Sequence, residues 1–413
     1  MRRLNLHSVL LTALLALTSL GANAVPSYAR QTGQDCAACH VGAFGPQLTP
    51  YGMRFKLGGY TDSDGKGGKI PLSGMVVASA VHNDAADENG KKNHSSLDEA
   101  SIFLAGRLTD HLGSFVQITR DGVEHSTSLD QADLRFATTA DVAGKDTIFG
   151  ISLNNNPSLT DPFNTLPAWS FPYVSAAKTN GTGGAEFKGF GGLEHTVWGL
   201  SGYTLWNNRV YGELGTYRAF SPSLLSRMGI GKDSAIGELS NSAYWRVGYT
   251  EDLKSRAWSV GLIGNNGKLK DRLTGDETAR FRDFGVDGSY QFLGTREHVA
   301  TVNASYIKER DSVADETVKE LKLNGSYFYR NTYGGTVGYF QAKSNSGAND
   351  NRGYLLQADW TPWGKEDSWM APWANLRLAV QYVGFTKFND DTGAPAAKAS
   401  DNNSLSLIAW TSF

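Results

Sequence analysis

The only two cysteines of the chain stand on either side of two alanines and are followed at once by a histidine, Cys36-Ala37-Ala38-Cys39-His40. Two thiols at this separation can form thioethers to the two vinyl groups of a haem, and the adjoining imidazole can ligate its iron. C-x-x-C-H is the attachment signature of c-type haem. A thioredoxin-like redox pair or an exported disulfide would use the same cysteines, but the redox pair follows a strand in a βαβ pattern, and nothing between Gln31 and Gln47 reads that way. The pentad therefore predicts one covalent haem c, held by Cys36 and Cys39, with His40 as the proximal iron ligand. Three residues are open for the sixth position: Met53, Met75 at the start of the first extended segment, and His82 further along it. A thioether there would raise the reduction potential, whereas a second histidine or an open position would leave it lower. No catalytic triad or metal-cluster spacing accompanies the pentad; His82, His94, His111, His125, His195 and His298 are scattered.

Haem c attachment takes place outside the bacterial cytoplasm, and the N-terminus agrees. Residues 1–24 read as a signal peptide: Arg2 and Arg3, an apolar core from Val9 to Leu20, then Ala22-Asn23-Ala24 as the cleavage site. Residues 25–70 are expected to form a cytochrome c-like haem-binding segment. At fewer than about 50 residues it is too small to stand alone without a staple, so it should lean on the larger element C-terminal to it. Residues 62–69, DSDGKGGK, read as a hinge into that element.

The rest of the chain, 71–413, has the pattern of an antiparallel β-barrel. Among the 413 residues, charged residues are 19%, aromatic residues 11%, glycines 47, and the net charge is −2. That balance excludes a basic nucleic-acid binder, and no apolar run after the N-terminus is long enough for a spanning helix. Period-2 alternation recurs instead in segments of about ten residues. In 318–330, Leu321, Leu323, Tyr327 and Tyr329 alternate with Glu320, Lys322, Asn324 and Ser326. Sixteen strands are expected, near 72–82, 97–108, 111–121, 128–139, 144–154, 192–206, 209–219, 242–251, 255–265, 280–291, 296–307, 318–330, 332–343, 353–361, 373–386 and 403–413. Aromatic residues gather at segment ends, as interfacial girdles require. Connections after even-numbered strands are mostly tight; those after odd-numbered strands, such as 83–96, 155–191, 220–241, 266–279 and 344–352, are mostly long. Outer-membrane barrels have that parity, with short periplasmic turns and long external loops. The last strand closes on Phe413. The loop at 155–191 carries Phe163, Trp169, Phe171 and Tyr173 among its prolines and could fold inward as an eyelet. External carboxylates (Asp84, Asp87, Glu88, Asp311, Asp315, Glu316, Asp350, Asp390, Asp391) could attract Fe(II) by their field, but the favoured expectation is that they are simply solvated. The fold class is thus all-β, a transmembrane barrel of about 16 strands preceded by a small monohaem cytochrome c segment, located in the bacterial outer membrane.

Residues 29–60, ARQTGQDCAACHVGAFGPQLTPYGMRFKLGGY, resemble the haem-binding start of the fused monohaem cytochrome c–porin family, the iron-oxidising outer-membrane cytochromes c. The shared features are ARQTG before the pentad, Pro46-x-Leu48-x-x-Tyr51-Gly52, Phe55-Lys56, and Gly58-Gly59-Tyr60-Thr61 leading into the first strand. WTPWG and APWANLRLAVQY are weaker echoes within the barrel. The chain departs from the iron oxidases at Val41-Gly42-Ala43-Phe44, where they carry a bulkier stretch. The resemblance implies haem attachment by Cys36 and Cys39 and ligation by His40. It also implies an electron conduit from an extracellular donor, foremost Fe(II), to a periplasmic c-type cytochrome across the lipid bilayer, with an Fe(II) oxidase activity. The alternatives are a haem conduit for another donor or for outward electron transfer, and a diffusion porin with a structural haem peptide.

Overall fold

The structure, a computed structural model, describes residues 25–413 apart from 68, 88, 166–175, 180–186, 189–191, 366 and 391. The expected signal peptide lies outside the described residues. Sixteen strands are present: β1 Leu72–Asn83, β2 Asn93–Arg107, β3 Leu112–Asp121, β4 Thr127–Asp141, β5 Asp146–Asn154, β6 Val197–Trp206, β7 Val210–Ala219, β8 Glu238–Asp252, β9 Arg256–Lys270, β10 Glu277–Phe292, β11 His298–Asp311, β12 Glu316–Tyr329, β13 Tyr333–Ser344, β14 Asn351–Trp360, β15 Asn375–Phe388 and β16 Ser404–Ser412. Each pairs antiparallel with its sequence neighbours, and β16 returns to β1 with Met75 opposite Ser412 and Asn83 opposite Ser404. The sheet is closed. At the seam Phe413 and Gly74 exchange both backbone hydrogen bonds, and a Cβ on Gly74 would meet the Phe413 ring at 2.6 Å, so a larger residue there would push that ring aside.

Alternation along the strands turns the usual protein inside out. In β14 every second residue is buried: Gln357 and Asp359 point inward, and Tyr354, Leu356 and Trp360 outward. Around the wall Ile102, Ile118, Ile151, Val260, Val286, Val337, Val380 and Leu407 are exposed, while Arg135, Glu213, Arg246, Asp287 and Arg377 are buried. An apolar exterior of this extent would drive a water-soluble monomer to associate. Lipid solvates it, and closure leaves no unpaired edge in the hydrocarbon. Exposed Trp206, Phe292, Tyr333, Trp360 and Phe413 gather at one rim, where the short connections lie. The chain is an outer-membrane barrel with that rim toward the periplasm.

The expected strands are all found, with differences at their outer ends. β8, β9 and β10 continue past the apolar band, so the connections expected at 220–241 and 266–279 shrink to 220–237 and 271–276. Those extensions pair charged residues across strands, Lys268 with Glu277 among them, and each buries a single apolar residue, Leu239, Leu269 or Ala279, in one cluster with Phe187 and Leu193, too short a run to mark a period. One even-numbered connection is long, 361–374 after β14. Two carboxylates expected to be solvated are buried instead: Asp311 beside Lys188 at 3.4 Å, and Asp350 beside Lys387 at 2.6 Å. Glu88 and Asp391 lie outside the described residues.

Candidate functional site

Ahead of β1, the chain folds into three short helices: α1 Pro26–Thr32, α2 Cys36–Cys39 and α3 Pro50–Leu57. α2 is the single turn that carries both cysteines. Asp35 caps it, its Oδ1 accepting from Ala38 N at 2.7 Å, and the His40 N–H closes it onto the Cys36 carbonyl at 2.8 Å. One helical turn sets positions i and i+3 on the same side, so the spacing and the cap together orient the two thiols. α3 starts at Pro50 after Thr49, whose hydroxyl accepts from Gly52 N at 3.2 Å and donates to the Ala38 carbonyl. Thr49 N also donates to the Cys39 carbonyl at 2.9 Å. One residue therefore caps α3 and ties it to α2. The approach is so close that a Cβ on Gly52 would lie 2.3 Å from Cys39 O.

This segment sits inside the barrel at its periplasmic end and is bonded to the wall on many sides. Gln47, fully buried, donates to Asn303 Oδ1 of β11 at 2.9 Å. Gln291 of β10 donates to the Leu48 carbonyl, and Asn375 of β15 to that of Ala43. Tyr60 donates to Asp133 of β4 at 2.7 Å, Tyr203 of β6 to the Leu57 carbonyl at 2.7 Å, and Tyr28 to the Ser114 carbonyl of β3 at 2.6 Å. Arg54 reaches Asp252 at the end of β8, and Arg296, in the short turn after β10, reaches Asp35. The connection at 155–191 folds inward over its described first part. Asn155 through Asp161 are buried, Lys56 donates to the Asp161 carbonyl at 2.7 Å, and Phe163 packs with Met53 and Leu57. Trp169, Phe171 and Tyr173 lie outside the described residues.

Between the segment and the wall of β1 to β4 lies a cavity of about 640 Å³, lined by Cys36, Cys39 and His40, within the size range of small-molecule and cofactor sites. Its inner half is apolar, with Tyr28, Leu48, Phe55, Met75, Phe103, Phe115 and Trp410. Burial pushes the Cys39 thiol up to about 12 and the His40 imidazole down to about 4, so His40 is neutral, the form that ligates a metal. His40 Nδ1 is buried with no hydrogen-bond partner, and the two cysteines are not disulfide-linked. Two thiols and an imidazole facing an apolar cavity of this size fit a covalently bound haem. The three residues open for the sixth position fall in different places. Met75 lines the cavity. Met53 is buried against Tyr203 and Tyr211 of the opposite wall, and His82 is on the outer part of β1, half exposed and bonded to Asn93.

The outer half of the cavity is carboxylate-lined. Two β-bulges produce this lining. Val77 pairs with Glu99 and Ala78 with Leu97, leaving Asp98 extra; Gln117 pairs with Gln131 and Ile118 with Leu129, leaving Asp130 extra. A bulge re-aims one side chain against the pleat; Asp98 and Glu99 both face the cavity, as do Asp130 and Gln131. Beside Asp130 stand Glu194 and His195, from the connection before β6. His195 Nε2 lies 3.1 Å from Glu194 Oε1 and 3.5 Å from Asp130 Oδ1. The sequence pattern missed this group, because its members come from strands that only the barrel makes neighbours; the adjacent Glu194-His195 was its one visible trace.

No protein-family model matches the chain, and no curated protein matches it. Among solved structures it is similar to OmpF of Salmonella typhi in complex with daunomycin, with 14% identity, 84% of this chain and 98% of that one covered, and a TM-score of 0.49. It is also similar to the anion-selective porin from Comamonas acidovorans (12% identity, 83% and 98% covered, TM-score 0.47) and to the outer-membrane channel DcaP of Acinetobacter baumannii (14%, 84% and 97%, 0.46).

Proposed function

We propose that this outer-membrane barrel is an electron conduit: Cys36, Cys39 and His40 would hold a c-type haem, which would supply a one-electron couple between an external donor, Fe(II), and a periplasmic c-type cytochrome. The observation that carries this reading is one continuous cavity that has the C-x-x-C-H turn at its periplasmic end and carboxylates at its outer end. The haem, when bound, supplies a one-electron couple. The protein's own residues do the rest. Gln47, Gln291, Asn375 and Tyr203 hold the segment across the lumen. Phe103, Phe115 and Trp410 keep the inner half apolar, and Met75 lines the same cavity, which favours it among the three sixth-ligand candidates. A diffusion porin is compatible with the same barrel; the C-x-x-C-H segment bonded to its lumen wall is what favours the conduit reading.

The test is stopped-flow mixing of oxidised, haem-bearing protein in detergent with Fe(II) under anoxic conditions. Rapid haem reduction is expected, with loss of both haem and reaction in Cys36→Ala/Cys39→Ala. A haem that dithionite reduces but Fe(II) leaves oxidised would remove Fe(II) as the donor.

A further inference from the structure

We infer that Asp130, Glu194 and His195 form a divalent-metal site on the lumen wall, the point at which the donor ion is held before its electron moves inward. The inference rests on the conduit reading for its role and on the wall's own geometry for its existence. The three side chains offer ligand atoms that lie within 4.8 Å of one another. A first-row ion bonded at about 2.1 Å places adjacent ligand atoms roughly 3.0–3.4 Å apart, and the His195 ring nitrogen already lies 3.1 and 3.5 Å from its two carboxylate partners. One imidazole and two carboxylates suit Fe(II) and Mn(II).

Two further features point to a cation. The neighbours of the two carboxylates are neutral donors. Asn156 Nδ2 and Gln131 Nε2 donate to Glu194 Oε1, and Thr119 donates to Asp130 Oδ2 at 2.7 Å. Among the described residues, neither carboxylate has a lysine or arginine in ion-pair range. Such donors orient metal ligands without neutralising them. Asp98, Glu99 and Asp121 line the same outer half, and the one lysine on the cavity, Lys56, is on α3. A low-dielectric cleft lined by one sign of charge concentrates the opposite ion. His195 is held at φ 62°, in the left-handed region. The Asn155 carbonyl accepts its N–H at 3.2 Å and fixes it there.

The step balances as a one-electron transfer. Fe(II) held at the wall would give up one electron and become Fe(III), a haem held by Cys36, Cys39 and His40 would supply the one-electron acceptor, and no proton or bond would change hands. Three protein ligands leave the remaining positions to water, through which the ion can enter and leave.

The experiment uses the full haem-bearing chain in detergent, without oxygen. Mn(II), which does not reduce haem, is titrated in, and the free ion is read by electron paramagnetic resonance. Wild type is compared with Asp130→Asn, Glu194→Gln and His195→Gln, near-isosteric changes whose barrel closure is checked by heat-dependent gel mobility. Wild type should bind one ion tightly, and each variant should weaken it by about tenfold or more. Half-maximal Fe(II) concentration for haem reduction should rise in parallel, with dithionite reduction unchanged. Equal Mn(II) binding in wild type and all three variants overturns the site, and the conduit still stands if Fe(II) reduces their haem alike. Mn(II) binding that the variants lose, beside a wild-type haem that Fe(II) does not reduce, keeps the site and removes the iron reading.

Discussion

Gly52→Ala tests whether the docking of α3 on α2 holds the haem turn in the lumen. The added methyl would start 2.3 Å from Cys39 O, 3.0 Å from its carbonyl carbon and 3.1 Å from its Cα. All three are backbone atoms, and Cys39 O already accepts from Thr49 N. Restoring ordinary contact therefore needs a shift of about 1 Å between α2 and α3, and overpacking of this kind costs about 1–3 kcal/mol. That is a rise of roughly 5- to 150-fold in the undocked population, at 1.4 kcal/mol per decade. Lys56 reports that population, because its side chain is 3% exposed when docked and a protease reaches it only when α3 comes away. With opening fast relative to cleavage, the tryptic rate after Lys56 tracks the open fraction. The variant should be cut after Lys56 roughly 5- to 150-fold faster than wild type, with the barrel's heat-dependent gel mobility unchanged. Gly67→Ala, which meets nothing within 4 Å, should stay within about twofold. A Gly52→Ala rate within twofold of wild type would refute the claim that this contact holds the segment.

Met75→Leu should lower the haem reduction potential and open the ferrous iron to carbon monoxide, whereas Met53→Leu should do neither, since only Met75 shares the cavity with His40; an unchanged Met75→Leu spectrum would eliminate it as the sixth ligand. Burial, with Arg135 nearby, draws Lys56 down from its ordinary 10.5 to about 7. The undocked segment thus binds more protons between those values, and docking should strengthen as pH rises from about 7. Trypsin cleavage after Arg54, normalised to an unfolded peptide, should slow between pH 7 and 9, and Lys56→Met should abolish that slope.

The geometry of Cys36-Ala37-Ala38-Cys39-His40 was legible because it is local: two thiols and an imidazole within five residues need only one helical turn, which Asp35 caps. The barrel was legible because a strand with lipid on one side and a wet lumen on the other must alternate, and turn lengths must differ between the two rims. Where that signal thins, so did the reading, as at the outer extensions of β8 to β10, where each strand adds a single buried apolar residue, Leu239, Leu269 or Ala279, too few to show a period. The choice among Met53, Met75 and His82 could not be read, because spacing along the chain does not say which wall α3 packs on. Nor could the group of Asp130, Glu194 and His195. A bulge turns Asp130 inward against the alternation, and it meets Glu194 and His195 only because barrel closure and the inward-folding connection bring them to the same place on the wall.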